Sequence, residues 1–88
     1  MTHEEIVAEF TRQDLIKGDL VEVEFSKGKP IKKYLSYSFV VYEDNNENTK
    51  INSCIYLQSA NSPFNENDDR FRSPYQVENI TKITRIKP

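Results

Sequence analysis

Leu20-Val21-Glu22-Val23-Glu24-Phe25-Ser26 alternates without a break. Val21, Val23 and Phe25 point one way; Glu22, Glu24 and Ser26 point the other. Successive side chains of a strand stand on opposite faces, so a period of two marks a half-buried β-strand. The stretch predicts a strand over about 19–26 and a domain organised around a sheet with one wet face.

The chain then turns at Lys27-Gly28-Lys29-Pro30, where Gly permits positive φ and Pro fixes φ. A longer strand follows over about 31–43. Leu35, Tyr37, Phe39 and Val41 form one of its faces, and Tyr34, Ser36, Ser38, Val40 and Tyr42 the other. That second face changes from polar to apolar after Ser38, which predicts a bend with the later half covered on both sides. Asp44-Asn45-Asn46-Glu47-Asn48-Thr49 reads as a polar hairpin loop. A third strand runs over about 50–58 and carries Cys54 as a small, semi-buried residue.

On the N-terminal side, Thr2 and Glu5 form a capping box, a hydroxyl for the first turn and a carboxylate that reaches back. Ile6, Val7 and Phe10 share one helical face. A helix over 3–12 is expected, running on toward Ile16 and stopping at Gly18. A helix this short is marginal alone and must dock on the sheet.

Residues 59–74 read as a long loop, with a short strand near Arg70-Phe71-Arg72. Val77, Ile80, Ile83 and Ile86 recur every third residue, which fits a 3₁₀ turn through Val77–Ile80 and a strand from Thr81 to Ile86. The domain reading is one unit over 1–88: helix and lead-in over 1–16, then the β part over 17–88.

Lys17-Gly18-Asp19-Leu20-Val21-Glu22-Val23 and Val77-Glu78-Asn79-Ile80-Thr81-Lys82-Ile83 bracket this order of elements. Over residues 17–87 it resembles the small SH3-like and Sm-like β-barrels. The resemblance implies a mainly β, α+β fold: a short N-terminal helix, then a strongly bent antiparallel barrel of four to five strands. The chain lacks the strand-two Gly and the RNA-loop Asp and Asn of Sm proteins. The aromatic groove of peptide-binding SH3 domains is not legible, and Trp is absent. No family site carries over, so function must be argued from individual residues.

Composition narrows the classes. A chain of 88 residues buries only about 60–65% of its unfolded surface, leaving little room for an enclosed cavity beside a core. The net charge of −2 hides alternating blocks: 1–24 and 43–69 are acidic, 25–42 and 70–88 basic. Ordinary neutralisation on folding accounts for such blocks. A single cysteine excludes an internal disulfide framework, no apolar run is long enough to span a bilayer, and the acidic start has no signal-peptide pattern. These features point to a cytoplasmic protein without a membrane partner.

Catalytic chemistry is sparse. The only His is His3, read as a solvent-exposed residue of the first helical turn. One His and one Cys exclude a structural zinc site. Asn65, Asn67 and Asp69 have calcium-loop spacing, but Arg70 stands where that loop needs Gly and Gln76 where it needs Glu. No cofactor and no metal are expected, and an enzyme is the least favoured class. Two basic-aromatic constellations remain. Lys32 and Lys33, with Lys27 and Lys29, lie beside Tyr34 and Tyr37; Arg70, Phe71 and Arg72 lie near Tyr75. The expected function is a non-enzymatic binding module that engages a protein partner through a sheet edge or the 59–74 loop. A phage or mobile-element accessory or inhibitor fits that description. The alternative is nucleic-acid or nucleotide binding through the two clusters. A homo-oligomer that closes its own strand edges is compatible with either.

Overall fold

The computed structural model describes residues 1–45, 50–65 and 72–86. Helix α1 spans His3–Arg12, followed by strands β1 (Leu20–Phe25), β2 (Ile31–Leu35), β3 (Val41–Asn45), β4 (Lys50–Ser59) and β5 (Arg72–Gln76). A 3₁₀ turn over Val77–Asn79 leads into β6, Ile80–Arg85. The protein is mainly β: six strands in one antiparallel sheet, with α1 beside it. Among the described residues no helix is long and apolar enough to cross a membrane.

β1 lies between β2 and β6, with Val23 opposite both Ile31 and Ile83. A bulge between Glu24 and Phe25 shifts the β1–β6 register, so that Phe25 stands opposite Ile80. β4 pairs with β2 and β3, and also with β5. The sheet is not closed, so the expected barrel is not confirmed and the antiparallel sheet with its N-terminal helix stands. The strand expected over 31–43 is two strands, β2 and β3, both laid against β4. The loop expected over 59–74 ends early, because Arg72–Gln76 pairs with β4 as β5. The polar hairpin residues 46–49 lie outside the described residues.

The core follows the alternation. Val21 and Val23 are fully buried and meet Leu35, Ile55, Leu57, Ile80 and Ile83 from the other strands. Ile6 and Phe10 of α1 and Val77 of the 3₁₀ turn close over them. Burial of each such side chain stabilises by about 1.5–3 kcal/mol.

Both ends of α1 are fixed locally. The Glu5 amide donates to Thr2 Oγ1 at 3.1 Å, and the Thr2 amide donates to Glu5 Oε1 at 2.9 Å. The helix stops at Arg12, before the expected extension to Ile16. Leu15 N–H donates to Phe10 C=O and Asp14 N–H to Thr11 C=O, with Asp14 at φ 53°. This is a Schellman stop with Asp in the left-handed position that Gly normally takes. Gly18 serves a different turn. Its φ is 93°, and the ring of Phe64 lies 3.5 Å from where a Cβ would sit.

Of the edge strands β3, β5 and β6, two carry features that blunt them. Gln13, just past α1, behaves as one rung of an extra strand on β6. Its side-chain Nε2 donates to Ile83 C=O at 2.7 Å, and its side-chain Oε1 accepts from Arg85 N–H at 2.8 Å. The Arg85 guanidinium returns to the Gln13 and Asp14 carbonyls. On β5, Pro74 lacks an N–H, a residue tolerated in a strand with one partner when the missing donor faces the open edge.

Candidate functional site

The site is generated by a mismatch between β2–β3 and β4. Leu35 pairs with Leu57, and the ladder resumes at Val41 opposite Cys54. Residues 36–40 therefore stand opposite only Ile55 and Tyr56, and the surplus must leave the ladder. The Ser36 amide keeps one contact, to Tyr56 C=O at 2.9 Å. The excursion carries Tyr37 and Phe39 outward.

Phe39 stacks on Tyr37 with ring centroids 5.1 Å apart and planes 22° apart. Tyr56, alternating with the buried Ile55 and Leu57, meets Tyr37 edge-on at 5.5 Å. Arg72, on β5, holds its guanidinium 4.9 Å from the Tyr37 ring centre. With Val41 these residues line a shallow groove of about 320 Å³. Phe39 is 56% exposed, so the stack opens to solvent instead of serving the core. Such a surface can hold an apolar or planar group on the rings and an anionic group near the guanidinium.

The predicted basic-aromatic residues do not assemble as two clusters. Lys32 is exposed on β2, opposite Glu22, while Lys33 lies opposite Val21 on the other face of the sheet. Tyr34 packs edge-on against Phe64 at 5.8 Å. Tyr75 pairs with Phe25 at 5.9 Å on the face of Ile55. Among the described candidates Tyr37 and Arg72 meet, and they come one from each cluster. Arg70 and Phe71 lie outside the described residues. Phe39, Val41 and Tyr56 were missed. In the sequence Phe39 and Val41 continue the Leu35–Tyr37 face of a regular strand and Tyr56 alternates with Ile55 and Leu57, so no local signal separates them from ordinary strand residues.

The 59–74 loop is tied down where it begins. Gln58 donates from Nε2 to Asn65 C=O at 3.1 Å and accepts from Asn65 N–H at 2.9 Å. This clip lays Phe64 on Tyr34 and against Gly18.

His3 is half-buried, contrary to the exposed position expected for it. Its Nδ1 lies 2.6 Å from Ser53 Oγ on β4, and its ring meets Tyr42 at 5.2 Å, edge to face. A cavity of about 140 Å³ opens beside them, lined also by Met1, Thr2, Gln76, Val77 and Glu78. The contact pins the first turn of α1 to the sheet, and the Met1 ammonium adds a bond to Val77 C=O at 3.1 Å. Among the described residues no group of three His, Cys, Asp or Glu side chains is placed to hold a metal. Compared with family models, curated proteins and solved structures, the chain matches none.

Proposed function

We propose that this chain is a non-enzymatic binding module that engages a protein partner through the aromatic groove on the outer face of β4 and β5. The observation that carries this reading is Phe39, stacked on Tyr37 yet more than half exposed at the tip of an excursion that leaves the ladder. Exposed aromatic surface is costly in water and marks recognition surfaces. Docking on the β6 and β5 edges has less support, because Gln13 bonds Ile83 C=O and Arg85 N–H of β6 and Pro74 of β5 lacks an N–H. Strand pairing supports an SH3-like or Sm-like relationship: a first strand between second and last, a bent strand beside the third, and a 3₁₀ turn before the end. A cytoplasmic accessory or inhibitory role, of the sort small phage proteins perform, is consistent with this size and the lone cysteine.

The nucleic-acid alternative draws on Arg72 over a ring. It is weakened where Glu22 stands opposite Lys32 and Glu24 opposite Lys82, which cancels charge on that face. The test is affinity capture from host extract with the intact chain and with Phe39→Ser. A partner retained by the first and lost with the second supports the reading; equal capture by both removes the groove from it. Covalent labelling of Ser53 by a fluorophosphonate, dependent on His3, would overturn the non-enzymatic assignment.

A further inference from the structure

Resting on the binding-module reading, we infer that a basic extended segment of the protein partner adds to the sheet as a strand along the outer edge of β3. Among the described residues β3 pairs with β4 on one side and has no ladder on the other. Such an edge offers the outward N–H and C=O groups of alternate residues to a chain laid beside it. The devices that blunt the other two edges are not repeated here: Val41–Asn45 contains no Pro, and Gln13 bonds β6. The chemistry of the occupant follows from the order along β3. Val41 and Tyr42 are apolar, and Tyr42 is 51% exposed. Glu43 and Asp44 follow, opposite the uncharged Asn52 and Ile51 of β4. Elsewhere in the sheet acids stand across a ladder from lysine, Glu22 from Lys32 and Glu24 from Lys82. For Glu43 and Asp44 the β4 side supplies no such cation, and a strand added on the other side can, since opposite charges in register stabilise a pair. The matching strand therefore carries two apolar residues next to two cations. Its residue opposite Val41 stands on the groove's face of the sheet, because Val41 lines the groove with Tyr37 and Phe39. Strand addition thus gives main-chain affinity at the edge and leads the partner to the aromatic groove. A second copy suits the edge poorly. β3 laid antiparallel on β3 sets its acids against each other or against Val41 and Tyr42. Lys32-Lys33-Tyr34-Leu35 of β2 has the matching order, but β1 and β4 already flank it.

The experiment is selection of a displayed random 12-residue peptide library on the full chain, followed by fluorescence-polarisation titration of the enriched peptides. The expected consensus has two apolar residues adjoining two Lys or Arg, with no Pro among them. Methylating the peptide's backbone nitrogens one at a time weakens binding roughly tenfold or more at alternate positions and little between them, the signature of a ladder. Replacing Glu43 and Asp44 together, Glu43→Lys with Asp44→Lys, weakens the basic peptide by a similar factor and gains binding to a peptide whose cations are replaced by Glu. Circular dichroism and urea midpoints confirm that this variant remains folded. A consensus without the basic pair overturns the inference, as does loss of the basic peptide with no gain of its acidic counterpart. Peptides that tolerate methylation at every position yet lose affinity with Phe39→Ser overturn strand addition and leave the groove reading intact. An alternating methylation effect that is indifferent to Phe39→Ser supports the strand on β3 and removes the groove. Enrichment of no peptide overturns strand addition, and a Phe39-dependent partner in host extract then separates this failure from that of the binding-module reading. A dimer seen by light scattering that blocks the peptides and is dissolved by Glu43→Lys assigns the edge to a second copy and overturns the inference.

Discussion

Replacing Gln13 by Ala tests whether one side chain finishes the sheet. The amide of Gln13 satisfies Ile83 C=O and Arg85 N–H, the two outward groups of β6 to which it bonds. Each hydrogen bond contributes about 0.5–1.5 kcal/mol net, and water recovers part of that at an edge. The expected loss is therefore about 1–2 kcal/mol. In a domain of this size that lowers the melting temperature by on the order of 5–15 °C. Gln13→Glu separates the components: it retains an acceptor for Arg85 N–H, removes the donor to Ile83 C=O and sets a second carboxylate beside Glu9. It should fall at least as far as Ala. Urea titration gives the stability, and amide exchange at Arg85 reports the edge itself. Unaltered protection of the Arg85 amide together with a change below about 0.3 kcal/mol would refute the reasoning.

Other positions make independent tests. Asp14→Gly relieves a left-handed residue at φ 53° and should raise stability by about 0.5–1 kcal/mol in urea; a decrease means that the Asp side chain favours that conformation more than its Cβ opposes it. Ser36 is 4% exposed and its hydroxyl has no hydrogen-bond partner among the described residues, so Ser36→Ala should be neutral or stabilising by up to about 1 kcal/mol; a clear loss of stability in urea would contradict this. The Thr2 amide holds the Glu5 carboxyl below its ordinary value, and the Arg12 guanidinium, then the Gln13 amide, hold that of Glu9 below its own. Depressed values mean a contribution present above the unfolded carboxylate range and lost as pH falls through the folded values. Helicity should hold from neutral pH to about 5 and decline below that, less steeply in Glu5→Gln; superimposable titrations of the two proteins by circular dichroism would contradict this.

The parts legible in the sequence depend on near neighbours. The β1 alternation, the Thr2–Glu5 capping box and the threefold spacing that runs from the 3₁₀ turn into β6 each hold over a few neighbouring residues, and each appears in the structure. The parts that were not legible depend on a distant partner. Residues 31–43 alternate well enough for one strand, and only their register against β4 shows that residues 36–40 do not fit. The same mismatch creates the groove, so Phe39 and Tyr56 were hidden for the same reason as the break. Gln13 gave no sign of its role, because a lone Gln after a helix is unremarkable until β6 lies beside it. The Lys32 and Lys33 pair failed as a cluster through the period of two, which sends neighbours to opposite faces.

The pairing of β1 with β6 also bears on how the chain reaches this state. Val21 must find Arg85, a partner across most of the molecule, and the Met1 ammonium must find the 3₁₀ turn. Contacts so far apart in sequence require large loop closures, and sheets dominated by them fold in milliseconds to seconds. The meander from β3 through β5 involves shorter closures and is the natural starting point, leaving β6 to arrive with the helix. Interactions made that late act chiefly on the unfolding rate. Damage at Ile83 or Gln13 would then shorten the lifetime of the folded chain far more than it delays folding.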